Sequence, residues 1–176
     1  MRTKLLKSLL AAGALLAVPL LTGSTARATS PVPPVPASGG FDHLKSLAGN
    51  WEAKTPDGKV EKVTYEVDAA GTAVVERLQP EGESPMVTVY YPDGSQVMMT
   101  HYCTLGNHPR MRTAGAATGD SLSFAFVDAT NMKSENDAHM HGLKITFADA
   151  DHFSQTWTMK KDGKEIPFTF KFERVK

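Results

Sequence analysis

Two pairs of potential metal ligands occur in the chain with a spacing of two residues. His101 and Cys103 flank a tyrosine, and His139 and His141 flank a methionine. In an extended strand, side chains two residues apart point to the same face of the sheet. Imidazole and thiolate groups are ligands that Zn²⁺ and copper bind well in proteins. Four such groups that meet in one interior would therefore suit a metal ion.

Two further residues could complete such a site. Met99 shares the expected face of His101 and adds a soft sulfur. Glu76, expected on another inward face, could act as a ligand, as a hydrogen-bond acceptor for a ligand, or as a general base.

The same spacing has two other interpretations. Inward histidines also form the polar lining of a metal-free ligand pocket, or bind one another in a purely structural role. A lone cysteine commonly behaves as a small hydrophobic residue. Because the chain contains neither an HExxH nor a CxxC motif, we favour the metal-free pocket over the other two.

A polar loop over residues 104–112 follows the His101 strand and carries Arg110 and Arg112. Two arginines on one face could clamp a carboxylate or phosphate at the rim of a pocket. The alternative is a solvated hairpin end whose arginine stems cover apolar surface.

The longest polar connection, residues 129–138, leads into His139 and suits either a lid over the pocket or an ordinary exposed loop. Trp157 and Tyr65 are expected to add aromatic surface to the pocket wall.

Short strands must position these residues, because turn signals divide the chain at short intervals. Asp57-Gly58, Asp93-Gly94 and Asp162-Gly163 are Asp-Gly turns, a strong signal for hairpins. The pattern predicts strands over residues 50–55, 60–68, 72–79, 86–91, 95–104, 110–115, 121–128, 139–148, 153–160 and 165–175. Phe41, Leu44 and Leu47 recur at helical spacing ahead of them. We predict an all-β fold, a closed antiparallel up-and-down barrel of about ten strands with a short N-terminal helix.

Alternation of apolar residues predicts which face of each strand is inward. On the fourth strand the apolar face carries Val87, Val89 and Tyr91. The eighth strand continues inward from His139 and His141 to three apolar residues, and the last strand presents an alternating series. The residues of these two series are Leu143, Ile145 and Phe147, and Ile166, Phe168, Phe170, Phe172 and Arg174.

The segment from Leu47 to Trp51 places a Gly-x-Trp motif at the start of the first strand, after a helical turn. This motif resembles the signature of the calycin superfamily, which includes lipocalins, fatty-acid-binding proteins and haem-binding barrels such as the nitrobindins. The resemblance implies a lipocalin-like barrel over residues 41–176. It also implies that Gly49, Trp51 and Arg174 form a structural signature, in which the arginine of the last strand stacks on the tryptophan. Haem therefore joins zinc and copper among the candidate cofactors.

The first 28 residues have the features of a secretory signal peptide. Basic residues precede an apolar run from Leu9 to Leu21, and small residues at Ala26 and Ala28 predict cleavage after Ala28. Residues 29–40 form a proline-rich linker. The whole chain of 176 residues has 19 basic and 19 acidic side chains, but removal of the signal leaves 15 basic residues against 19, a net charge of −4.

These properties limit the function. The acidic mature chain argues against nucleic acid or an anionic membrane as partner, and one cysteine excludes an intrachain disulfide. We expect a secreted or periplasmic barrel that binds a small, partly apolar molecule. Its ligand-binding residues would be Glu76, Met99, His101, Cys103, Arg110, Arg112, His139, His141 and Trp157. The alternatives are a metal- or haem-dependent enzyme that uses the same histidines and a structural domain with a filled barrel. The sequence leaves the oligomeric state open.

Overall fold

A computed structural model describes residues 39–117 and 119–176 of the chain. The predicted signal peptide and most of the linker lie outside these residues and stay predictions. One helix, α1 (Gly39–Ser46), precedes the strands, and a short 3₁₀ turn (Ala69–Gly71) joins the second strand to the third. The strands are β1 (Gly49–Lys54), β2 (Val60–Asp68), β3 (Ala73–Pro80), β4 (Met86–Asp93), β5 (Gln96–Tyr102), β6 (His108–Thr113), β7 (Ser121–Thr130), β8 (His139–Phe147), β9 (His152–Lys161) and β10 (Lys164–Arg174).

The ten strands form one closed antiparallel barrel in which each strand pairs with its neighbours along the chain. β1 pairs with both β2 and β10, so the first and last strands close the sheet and leave no free edge. This confirms the predicted fold class, and each predicted strand boundary lies within two residues of the observed one. Within the described part of the chain, no helix is long and apolar enough to span a membrane.

The end of the barrel next to α1 is closed by the predicted pairing of Trp51 and Arg174. The two residues face each other across β1 and β10, and the guanidinium carbon of Arg174 lies 4.0 Å from the centre of the Trp51 ring. Arg174 also donates to the carbonyls of Ser46 and Ala48, at 3.1 and 2.9 Å, and thereby holds the end of α1. The indole N–H of Trp51 donates to the carbonyl of Leu47 at 2.7 Å.

Gly49 is required by this closure for two reasons. Its φ of +126° lies in a region that side-chain-bearing residues rarely adopt. A Cβ at this position would also stand 3.0 Å from Nη1 of Arg174. The glycine therefore permits the close approach of the arginine that closes the barrel.

The face assigned to β4 from the sequence is wrong. On β4, Thr88 and Tyr90 are fully buried and point inward, whereas Val87, Val89 and Tyr91 are only partly buried on the outer face. The more hydrophobic face of the strand is thus turned outward. The reason is electrostatic: the inner face of β3 carries the carboxylate of Glu76, and the hydroxyls of Thr88 and Tyr90 bind it.

We predict that Gly49→Ala lowers the free energy of unfolding by about 1–3 kcal/mol, since the new side chain meets both backbone strain and Arg174. Urea denaturation measures the change. Gly58→Ala is the matched control: Gly58 also has a positive φ, of +86°, but among the described residues beyond its two chain neighbours no atom lies within 4 Å of the added Cβ. Equal losses in the two variants would contradict the role of the Arg174 contact.

Candidate functional site

Four polar residues form a continuous row across neighbouring strands inside the barrel. Strand register pairs Tyr65 of β2 with Glu76 of β3, Glu76 with Thr88 of β4, and Thr88 with His101 of β5. Side chains paired in this way stand about 5 Å apart at their Cβ atoms, close enough for direct hydrogen bonds. All four residues are at most 1% exposed. The row is therefore a buried polar chain built by the register of the sheet.

The carboxylate of Glu76 is the centre of this chain. Its Oε2 accepts hydrogen bonds from the hydroxyls of Tyr65 at 2.5 Å and Tyr90 at 2.8 Å and from the amide of Gln155 at 2.7 Å. Its Oε1 lies 3.3 Å from the hydroxyl of Thr88. Every partner donates, and the shortest contacts have the lengths of charge-assisted hydrogen bonds. Donors on every side favour the ionised form of this carboxyl group.

Burial and hydrogen bonding act in opposite directions on the pKa of Glu76. Loss of solvation raises the pKa of this carboxyl group, and hydrogen bonds from Tyr65, Tyr90, Gln155 and Thr88 oppose the rise. Burial and the nearby carboxylate raise the pKa of Tyr65 and of Tyr90 well above the usual value. Both phenols therefore remain protonated and can donate.

Gln155 reaches this centre from the other side of the lumen, where β9 is separated from β3 by β10, β1 and β2. Its amide nitrogen donates to both Glu76 and the hydroxyl of Tyr65, the latter at 2.7 Å. Its amide oxygen accepts from the indole N–H of Trp157 at 3.0 Å. The network thus crosses the lumen and links opposite walls of the barrel.

His101 ends the polar row and has one ring nitrogen in use. Its Nδ1 lies 2.9 Å from the Thr88 hydroxyl. Its Nε2 is buried and has no hydrogen-bond partner among the described residues. Burial lowers the pKa of His101 to about 4, with a smaller contribution from His108, so the ring is neutral at physiological pH. The ring centre lies 4.8 Å from that of Trp157.

The ring of His101 forms part of the wall of a cavity of about 260 Å³. The cavity lies at the end of the barrel opposite α1, where β3 and β5 end and β4 begins. Most of its wall is apolar or thioether surface. The other lining residues are Glu61, Leu78, Pro80, Glu83, Met86, Cys103, Thr104, Leu105, Met140, Trp157, Met159, Phe168 and Phe170.

Three of the predicted site residues can be placed relative to this cavity. Cys103 lies in its wall at 7% exposure, and burial raises the pKa of the thiol, which keeps it protonated. Trp157 also lines it, as expected. Met99 does not: it is fully buried in the core, paired with Tyr90 and Met111.

His139 and His141 do not line this cavity, contrary to the strict alternation assumed from the sequence. The register of β8 against β9 shifts at His141, so that Met140 pairs with Met159 and Gly142 pairs with Thr158. This bulge interrupts the alternation of faces, as bulges do. Met140 therefore contributes to the cavity wall.

The two histidines form a separate cluster. The Nε2 atom of His139 lies 3.0 Å from the Nδ1 atom of His141. Both rings pack on Phe126, with centroid distances of 4.8 and 4.9 Å. His139 Nδ1 donates to the carbonyl of Asp137 at 2.7 Å. The pKa of His141 is lowered, mainly by burial and secondly by the positive charge of Lys160.

The expected convergence of His101, Cys103, His139 and His141 is wrong for this reason. Within residues 39–117 and 119–176, no group of three or more His, Cys, Asp or Glu side chains could hold a metal ion. Haem does not fit the cavity either, since about 260 Å³ is below even the roughly 300–1,000 Å³ of pockets for drug-sized ligands.

Arg110 and Arg112 do not form the predicted clamp at the rim. They lie on the outer face of β6, where Arg110 binds both carboxylate oxygens of Asp128 and Arg112 lies 3.6 Å from Asp93. These carboxylates lie on the adjacent strand β7 and at the end of β4, two strands away from β6.

The connection before β8 is tied to the loop after β5. Asn107 donates to the carbonyl of Ala138 and Asn131 to that of Gly106, both at 2.8 Å. Asp137 accepts from the backbone N–H of Lys133 at 2.7 Å. These bonds describe an ordered loop with its own internal structure.

The sequence pattern did not indicate that Thr88 and Tyr90 point inward, because the valines of β4 make the opposite face of the strand the more apolar one. A signal for them was present. Glu76 shares its face with Val74 and Leu78, and a carboxylate on a core face requires donors from the next strand. Met140 had no such signal, because a bulge of one residue leaves no clear mark in the sequence.

Removal of one donor tests the buried carboxylate. We predict that Tyr90→Phe lowers the free energy of unfolding by about 2 kcal/mol, the typical cost of losing a hydrogen bond to a charged group. Tyr91→Phe, one residue along the strand on the outer face, should change it by less than about 0.5 kcal/mol. Urea denaturation of the two variants checks this, and equal effects would contradict the network.

The lowered pKa of His101 predicts a pH dependence of stability. The unfolded chain binds the proton at the ordinary histidine pKa of 6.5, whereas the pKa of His101 in the folded chain is only about 4. The contribution of neutral His101 is therefore fully present above pH 6.5 and is lost as the pH falls toward 4. Its full size is about 3 kcal/mol. Denaturation curves measured between pH 4 and 7 should show that the free energy of unfolding of wild type falls relative to that of His101→Asn as the pH decreases. An equal pH dependence of the two proteins would contradict the prediction.

Comparison with known proteins bears on the fold alone. No family model matches the chain. No curated protein sequence matches it either. Among solved structures, Rv2717c from M. tuberculosis is similar with a TM-score of 0.52 and 13% identity, over 78% of this chain and 98% of that protein.

A protein of unknown function of the DUF3598 family from Nostoc punctiforme aligns with a TM-score of 0.41 and 14% identity, over 75% of this chain. The aligned part is about half of that protein, 49% of its length, and the likeness is too weak to carry an argument. The closed ten-stranded antiparallel barrel is consistent with a calycin-like barrel, and the comparisons name no family for it.

Proposed function

We propose that this protein binds one small, mostly apolar molecule in the cavity beside His101. The observation that carries the proposal is Nε2 of His101, a buried atom that has no hydrogen-bond partner in the described part of the chain, on a residue that lines an otherwise largely apolar cavity. A buried polar atom without a partner costs about 1–3 kcal/mol. A ligand that offers a hydrogen bond at this point recovers that energy.

The size and composition of the cavity support a ligand of one aromatic ring or similar volume. An apolar cavity of about 150 Å³ is known to take up benzene, and this cavity has about 260 Å³. Its wall combines Trp157 and Phe170 with the flexible thioethers of Met140 and Met159. Thioether side chains adapt to ligands of different shape.

The polar network supports binding in a second way, because it preorganises the wall. His101 is held by Thr88, and Trp157 is held by Gln155, before any ligand arrives. Groups that are already ordered lose little conformational entropy on binding.

Phenol and toluene serve as a test pair, since they differ by one hydroxyl group. We predict that wild type binds phenol more tightly than toluene by about tenfold in calorimetry, and that His101→Ala removes most of this preference while toluene binding remains. His43→Ala is the matched control, because His43 lines a different cavity next to α1.

Two results would contradict the proposal. One is the absence of binding of either compound to wild type at millimolar concentration. The other is an equal loss of phenol binding in His101→Ala and His43→Ala, which would place the ligand elsewhere or indicate a general loss of structure.

A further inference from the structure

We infer that Glu76 acts through Thr88 to fix the tautomer of His101, so that the cavity selects ligands that carry a hydrogen-bond donor. This inference rests on the proposed binding function and names the ligand class. Its physical basis is the row of three side chains paired across β3, β4 and β5.

The direction of the hydrogen bonds follows from the charge of Glu76. A carboxylate can only accept, so the hydroxyl of Thr88 donates to Oε1 of Glu76. The oxygen of Thr88 must then accept the hydrogen of His101 Nδ1, at a distance of 2.9 Å. A neutral imidazole with hydrogen on Nδ1 has a lone pair on Nε2. The second ring nitrogen of this cavity-lining residue is therefore an acceptor.

A second residue of the cavity has the same character. Glu61 lies in the wall at 8% exposure, and its Oε2 is buried without a hydrogen-bond partner among the described residues. Burial, followed by the charge of Glu83, raises the pKa of Glu61, and in its ionised form the group offers acceptors only. Two free acceptors in one apolar cavity favour a ligand with an O–H or N–H group and disfavour a ligand whose polar atoms are all acceptors, since acceptors would then face acceptors.

Substitution of Glu76 by glutamine is expected to reverse the direction of the hydrogen bonds that run through Thr88 to His101. Tyr65, Tyr90 and Gln155 all donate toward the Oε2 position, so the amide oxygen of the new side chain must lie there. Its amide nitrogen then faces Thr88 and donates to the hydroxyl oxygen. Thr88 in turn donates to Nδ1 of His101, which moves the ring hydrogen to Nε2. One substitution at a distance from the cavity would thus convert its acceptor into a donor.

The tautomer is measured directly by nitrogen-15 NMR of the histidine rings near pH 7. In wild type we expect His101 Nδ1 to show the chemical shift of a protonated ring nitrogen and Nε2 that of an unprotonated one. In Glu76→Gln we expect the reverse, with the shift of a protonated nitrogen at Nε2 and of an unprotonated nitrogen at Nδ1. His101→Asn identifies the resonance. Wild-type His101 with hydrogen on Nε2, or a Glu76→Gln spectrum with unchanged tautomer, would overturn the inference.

The selectivity is measured with phenol, which can donate, and acetophenone, which only accepts. Calorimetry should show that the ratio of phenol affinity to acetophenone affinity falls by about tenfold or more from wild type to Glu76→Gln. Thr88→Val, which interrupts the row of hydrogen bonds between residue 76 and His101 and keeps the glutamate at position 76, should also lower the ratio. Thr88→Ser keeps the hydroxyl and should leave it unchanged. An unchanged ratio in both Glu76→Gln and Thr88→Val would overturn the donor selectivity.

The two proposals fail in different ways. If no probe binds any of the proteins but Glu76→Gln changes the His101 tautomer as expected, the proposed binding function is wrong, and so is the proposed ligand class. If probes bind wild type but the tautomer or the affinity ratio does not respond to Glu76→Gln, binding stands and the control of the His101 tautomer by Glu76 is wrong.

Discussion

Burial of the Glu76 carboxylate is the constraint on which the interior of this barrel depends. An ion removed from water is stable only when donors replace its hydration. Here β2, β4 and β9 supply those donors to a side chain of β3. This requirement decides which face of β4 points inward. It also draws Gln155 across the lumen and orders the side chains that lead to His101.

The network divides the barrel into two regions with different properties. Toward α1, the interior is a packed core in which Trp51 lies between Arg174 and Phe153, with an edge-to-face ring distance of 4.7 Å to the phenylalanine. Toward the other end lies the cavity, with its aromatic and thioether wall. Packing at the first end holds the strands in register, and that register holds the polar row beside the cavity. Structure and candidate site are thus supported by the same pairing of strands.

The site could be predicted only in part, and the residues show why. His101, Cys103 and Trp157 were expected inside the barrel and line one cavity. The side chains of their strands alternate regularly between the two faces of the sheet, so residues two apart share a face. His139 and His141 were expected there as well, but the register shift in β8 separates them from it. Arg110 and Arg112 were candidates for an anion clamp, and the neighbouring Asp128 and Asp93 bind them on the outside. In each failure the deciding feature, a register shift or an ion pair, involves residues of different strands.

The sequence alone determined the strands of the barrel, because those depend on local signals. Asp-Gly turns and alternating apolar residues predict ten strands, whereas the closed end was implied by a resemblance carried by the Gly-x-Trp motif, and the contact of Trp51 with Arg174 forms only in the closed sheet. The tertiary structure alone decided the chemistry of the interior. A residue such as Glu76 acquires its character from three other strands, which only the register of the closed sheet brings together. The contact of His101 Nδ1 with Thr88 likewise joins two strands, and it has no local signal in the chain.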